Sequence, residues 1–146
     1  MTFTKGNQYG RALAGKKPSM SRLEEKLDAV FSRYIRLAAA DEGGTVQCIT
    51  CQKLLHWKES QCGHWVKRQH RSVRWDERNV GVQCRRCNHF LDGAQDEFGL
   101  HIITKYGEPV YLELMSLKHQ VKKHTKADLE TLIETYKEKL LPIERD

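Results

Sequence analysis

The reading turns on one stretch, Cys48 to His89. It opens with Cys48-Ile49-Thr50-Cys51 and runs through Cys62-Gly63-His64-Trp65 and Glu77-Arg78-Asn79. It closes with Cys84-Arg85-Arg86-Cys87-Asn88-His89. A Cys-x-x-Cys turn presents two thiolates to one ion, and two such knuckles complete a tetrahedral Zn²⁺ site with no open position. Cys48, Cys51, Cys84 and Cys87 are therefore candidate ligands of a structural zinc, a site that contributes on the order of 10 kcal/mol to folding. The competing reading of these thiols is redox chemistry or no ligand at all. The knuckles are separated by 32 residues, 52–83, long for a simple zinc ribbon, so the loop is expected to carry function. Cys62, the odd thiol, reads as a small buried apolar residue.

Inside the loop, His64 sits on a candidate strand over 61–66. Cys62, His64 and Val66 there share one face, and Gly63, Trp65 and Lys67 the other. An imidazole titrating near neutrality can take a proton from water, although a lone histidine is as readily structural. Its company matters. Asn88 follows the second knuckle directly, where its amide oxygen is a hard ligand suited to Mg²⁺, or where the residue simply caps a helix. Asn79 precedes that knuckle and reads either as a site residue or as a turn former.

Working outward, the chain is basic, with a net charge of +6 and a pI near 9.1, which favours a polyanionic partner. The surplus is local: residues 64–90 carry seven Lys/Arg against two acids, whereas 125–146 carry four against six. Lys67, Arg68, Arg71, Arg74 and Arg78, with His70, surround His64 and read as phosphate clamps; a solvated loop is the alternative. Trp65 and Trp75 either pack in the core or stack on unpaired bases. With 146 residues, 39% of them hydrophobic, and a mean hydropathy of −0.67, one domain with a modest core is expected. No apolar run nears the roughly 18 residues that span a bilayer, and no signal-peptide pattern opens the chain. A cytoplasmic location follows as the expectation, where thiols stay reduced.

The flanks read as helices. Residues 1–20 form a basic arm punctuated by glycine. Ser21 and Glu24 make a capping box for a helix over about 22–40 with Leu23, Leu27, Phe31 and Ile35 on its apolar side. Short strands are expected near 45–50, 61–66 and 79–83, and a helix from Arg85 to about Leu91. Phe98, Leu100, Ile103 and Tyr106 suggest a helix closed by Gly107, and Pro109 starts another bearing Leu112, Leu114, Met115 and Leu117. Thr125 and Asp128 cap a last helix with Leu129, Leu132, Ile133, Tyr136 and Leu140 as its stripe, ended by Pro142. The organisation is thus α+β: a single domain over 21–146, with a zinc-anchored core at 45–92 and a helical extension at 97–141.

The order His64, Asn79, Asn88 between two knuckles resembles the HNH, or ββα-metal, nuclease superfamily. More narrowly, Gly63-His64-Trp65, Arg74-Trp75-Asp76-Glu77-Arg78-Asn79-Val80 and Gln83-Cys84-x-x-Cys87-Asn88 resemble the bacteriophage lambda NinG family, also called Rap, over about 22–141. The resemblance implies an endonuclease for branched DNA, Holliday junctions and D-loops, with structural zinc and a catalytic Mg²⁺ or Mn²⁺. It implies that His64 is the general base, Asn88 a ligand of the catalytic metal and Asn79 the residue that holds the loop. Many HNH enzymes place a ligand directly before the base; here that position is Gly63, so a second ligand must come from elsewhere, with Glu77 the first candidate and a salt bridge its alternative role. Cutting a junction symmetrically needs two sites, so a homodimer through the 129–140 stripe is a further expectation, as are phage or host recombination partners. The competing functions are an HNH nicking or restriction-type enzyme and a non-catalytic zinc module that binds DNA.

Overall fold

A computed structural model describes residues 16–145. The order is helix α1 (Met20–Ala38), strands β1 (Thr45–Gln47), β2 (Leu54–His56), β3 (Gln61–His64) and β4 (Val80–Gln83), a single π-helical turn at Arg86–Phe90, and helices α2 (Gln95–Tyr106), α3 (Glu108–Lys118) and α4 (Lys126–Leu140). The class is α+β, with two small antiparallel sheets, β1–β2 and β3–β4. The basic arm expected at 1–20 falls mostly outside the described residues. No described helix is long and apolar enough to cross a membrane.

Helix α1 begins two residues before the expected start. Ser19 is the N-cap, its hydroxyl accepting from the Arg22 N–H at 3.2 Å. Ser21 lies inside the helix, and Glu24 turns instead to Arg71 and Arg74. Guanidinium partners hold a carboxylate more strongly than one exposed backbone N–H does. At the other end of the chain, Thr125 and Asp128 do form the reciprocal capping box. Leu129, Ile133 and Tyr136 of α4 then pack on Leu23, Leu27 and Phe31 of α1, with Phe31 edge-on to Tyr136 at 4.9 Å. Each such fully buried side chain contributes about 1.5–3 kcal/mol. The 129–140 stripe is therefore covered by α1 within the monomer and does not supply the dimer surface the sequence suggested.

Helices α2 and α3 form the second layer. Gly107, at φ +92°, gives its N–H to Ile103 and turns the chain where a side chain would be strained. The buried face is Phe98, Ile102 and Leu114 against Trp65, Val66 and Val73. Leu100, Leu112 and Met115, expected inside, are exposed. The spacing explains it: Phe98 and Ile102 are four apart and share a face, whereas Leu100 sits some 200° round from Phe98.

The β3–β4 pair carries the loop's function. Its register sets Gly63 opposite Gly81 and His64 opposite Val80. Both glycines are sites of close approach. A Cβ on Gly63 would overlap the buried Gln83 amide, and one on Gly81 would overlap Ile49. Gln83 uses that space to donate to Thr50 Oγ1 at 3.1 Å and to the Gly93 carbonyl at 2.9 Å, tying the first knuckle to the end of the second. In place of the helix expected from Arg85 to Leu91 stands one wide turn, with Leu91 N–H on the Arg86 carbonyl at 2.8 Å.

Candidate functional site

The four knuckle cysteines converge. Their Sγ atoms all lie within 4.8 Å of one another, with Cys51 Sγ and Cys84 Sγ 3.7 Å apart. A tetrahedron with Zn–S of about 2.3 Å has sulfur–sulfur edges of about 3.8 Å, far from the roughly 2.05 Å of a disulfide. The thiols therefore fit a zinc ion. Burial opposes ionisation of Cys48, but hydrogen bonds from Thr50 and from the backbone of Cys51 and Cys84 outweigh it and bring this thiol down to about 6. Burial also pushes Cys87 up to about 12. Four adjacent thiolates are thus compatible only around a cation. Cys62 stands apart, packed against the α1–α4 cluster with its thiol pushed up to about 12 by burial.

Beside this pin lies a cavity of about 650 Å³ between α1, β3, the 67–74 loop and the π turn. His64 and Asn88 both line it, with Lys67, Arg68 and Arg71 around them. The strand fixes the His64 backbone, and its Nε2 lies 2.8 Å from the Arg74 carbonyl oxygen. A carbonyl only accepts, so Nε2 carries the proton and Nδ1 keeps its lone pair. Burial lowers the His64 pKa, against the opposing hydrogen bond to Arg74, so the ring is neutral at neutral pH. Asn88 gives its Nδ2 to Gln61 Oε1 at 2.8 Å, which leaves Oδ1 as the oxygen to offer a cation.

Residues 5–146 match the family described as the bacteriophage lambda NinG protein. The chain belongs to the NinG family. No curated protein and no solved structure matches it.

In this NinG-family chain, Asn79 holds the loop in the way the resemblance implied, while several other residues singled out in the sequence have different work. Asn79 is fully buried and away from the cavity. Its amide accepts from the Val66 N–H at 2.8 Å and donates to the carbonyls of Val66 and Val73 at 3.0 and 3.1 Å. It staples the loop that carries Arg74, the partner of His64, and so positions the imidazole without touching anything bound in the cavity. Glu77 is a correction. Its Oε2 accepts from Tyr136 Oη at 3.1 Å and from Lys139 Nζ at 2.8 Å, and it lines a separate recess. It anchors α4 and offers no ligand beside Asn88.

The arginines divide. Arg74 is only 12% exposed and bridges Glu24 at 2.9 Å and Asp28 at 2.5 Å. Arg78 pairs with Asp76 and Glu113, each at 2.8 Å, and those hydrogen bonds raise its pKa further. Both brace the fold; Arg74 also lines the cavity, whereas Arg78 does not. Lys67, Arg68 and Arg71 do face the cavity, paired with Asp92, Asp28 and Glu24 at 3.0, 3.5 and 3.0 Å. Trp65 and Trp75 are buried, with Trp75 Nε1 donating to Asp28 at 3.0 Å.

Asp28 is the residue the sequence reading missed. It is the carboxylate on the cavity wall, reached from α1. The signal was present: Glu24 and Asp28 are four apart, hence on one helix face, and Arg68, Arg71 and Arg74 recur every third residue in a loop of opposite charge.

Proposed function

We propose that this NinG-family chain is a structure-selective DNA endonuclease of the HNH, or ββα-metal, type, acting on branched recombination intermediates such as Holliday junctions and D-loops in phage DNA metabolism. One observation carries the reading: His64 and Asn88 line one basic-rimmed cavity, the other polar atom of each side chain being taken up by Arg74 and Gln61, which leaves His64 Nδ1 and Asn88 Oδ1 without a partner among the described residues. Strand β3 and the Asn79 staple hold the base against rotation. Nδ1 takes the proton from a water, whose oxygen attacks phosphorus; the P–O3′ bond breaks, leaving a 5′-phosphate and a 3′-hydroxyl. Lys67, Arg68 and Arg71 hold the flanking phosphates by exchanging their carboxylate partners for phosphate oxygens.

The cavity's donor set fits Mg²⁺ or Mn²⁺ that keeps most of its waters, with Asn88 Oδ1 as the protein oxygen. Such a cation, when bound, neutralises charge on the scissile phosphate. One observation favours the second reading, a non-catalytic zinc module that binds DNA: Asp28, the carboxylate on the wall, is engaged by Arg74, Trp75 and Arg68.

The test is an end-labelled four-way junction, linear duplex and single strand, each incubated with the protein with and without Mg²⁺. Junction cleavage that requires the cation supports the enzyme. His64→Ala should then lose at least about 10²-fold in rate while still binding the junction and retaining its zinc. Binding without cleavage under every cation tried leaves the zinc module as the function.

A further inference from the structure

Almost every cation near the cavity is matched by an acid of the same chain. The exceptions lie on the second knuckle. Among the described residues, Arg85 and Arg86 are exposed and form no ion pair. Beside them stands Phe90, 68% exposed, the most exposed aromatic side chain among the large hydrophobic residues on the surface. The Arg85 guanidinium lies over the Phe90 ring at 5.6 Å from its centroid, and the His89 ring meets it edge-on at 5.0 Å. This group is not loosely held. Cys87 is buried in the metal cluster, the Leu91 N–H closes the π turn on Arg86, and the Gly93 N–H returns to the Cys87 carbonyl at 2.8 Å. The wide turn that directs Asn88 into the cavity thus presents Phe90, two residues on, to solvent. Isolated π turns commonly mark functional positions for this reason.

We infer that Phe90, with Arg85 and Arg86, is a stacking platform for an unpaired or unstacked nucleotide, and that it determines the preference for branched DNA. An exposed ring on a metal-pinned turn offers a π face to any base, and the two arginines without acidic partners supply charge for its flanking phosphates. Continuous duplex keeps its bases stacked and presents no free base face, whereas a branch point does. The inference rests on the proposal that DNA enters the neighbouring cavity, and its test separates the two.

A four-way junction carrying 2-aminopurine at the branch point is titrated with the full-length protein in EDTA, so that cleavage does not interfere. Wild type should quench the fluorophore. Phe90→Ala should abolish the quench and weaken junction binding about tenfold, within the range for one lost base–aromatic stack, leaving linear-duplex binding within twofold. Phe90→Trp should restore both, and Phe90→Leu should not, which separates stacking from mere apolarity. Unchanged zinc content in each variant excludes unfolding. Phe90→Ala with wild-type quench and affinity overturns the inference, including if this face instead docks another protein. If wild type never cleaves with Mg²⁺ yet Phe90→Ala loses the quench, the nuclease reading fails and the platform stands. If wild type cleaves and Phe90→Ala behaves as wild type, the platform alone fails.

Discussion

At the scale of single residues, the proposed reaction rests on which nitrogen of His64 holds the proton. The carbonyl of Arg74 decides it, and burial keeps the ring neutral by lowering its pKa from the ordinary 6.5. The consequence is a pH profile. Cleavage should be at full rate down to about 6.5, the unperturbed histidine value, and fall only on its acid side, as Nδ1 becomes protonated. The folded protein also binds that proton less readily than the unfolded chain, so stability should decline through the same acid window. Junction cleavage rates measured from roughly pH 5 to 8 check this, and a half-maximal point well above 6.5 would remove His64 as the base. Gly63 is the other decisive position. A side chain there meets the buried Gln83 amide, so Gly63→Ala should destabilise by about 1–3 kcal/mol through overpacking, seen as a lowered urea midpoint. An acid placed there to imitate HNH enzymes would unsettle β3–β4 before it could bind a metal.

Among the elements, the four-cysteine cluster, whose thiols could hold a zinc ion, helps join the two small sheets. Two-stranded sheets of three or four residues have little independent stability, and here Gln83 and the thiol cluster connect both of them to the π turn. Cys84→Ser should therefore release zinc and unfold 45–92 while α1 and α4, packed through Phe31 and Tyr136, keep part of their helicity. Metal content by a colorimetric chelator, with far-UV circular dichroism, reads both; a variant that loses zinc yet keeps native near-UV signal would deny the metal its structural role. These elements also show what a sequence makes visible. The knuckles and the capping box at Thr125–Asp128 were legible because each is a local pattern with a fixed spacing. The strands over 61–64 and 80–83 were legible to within two residues, whereas the first stops at Gln47, short of the expected Thr50, and β2 at Leu54–His56 fell in a stretch read only as a turn or hairpin. The true start of α1 was not legible, because Ser19 and Ser21 are equally good caps and the choice is made by arginines 47–50 residues away that capture Glu24. Glu77 misled for the same reason: its partners, Tyr136 and Lys139, are contributed by the last helix.

Over the whole molecule, a positive net charge alone is a poor map of where the proposed DNA partner would be gripped. The basic surplus of 64–90 is real, but tertiary pairing divides it into three groups. Arg74, on the cavity wall, is held by Glu24 and Asp28, and Arg78, which does not line the cavity, by Asp76 and Glu113. Lys67, Arg68 and Arg71 face it yet must release an acid before they meet a phosphate. Arg85 and Arg86 are exposed and form no ion pair among the described residues. Counterion release depends on phosphates newly neutralised, about 0.9 in the salt slope for each on duplex DNA. Arg86→Gln should therefore lower the slope of log K against log salt by about 0.9, and Arg78→Gln should leave it unchanged even if the fold loosens and affinity drifts. Reading the slope in place of the affinity is what makes the comparison clean, because a partly destabilised protein binds less at every salt concentration without altering how many phosphates it covers. Equal slopes for Arg86→Gln and wild type, with a reduced slope for Arg78→Gln, would move the DNA path to the α3 side of the molecule, where Arg78 meets Glu113, and away from the cavity that holds His64 and Asn88.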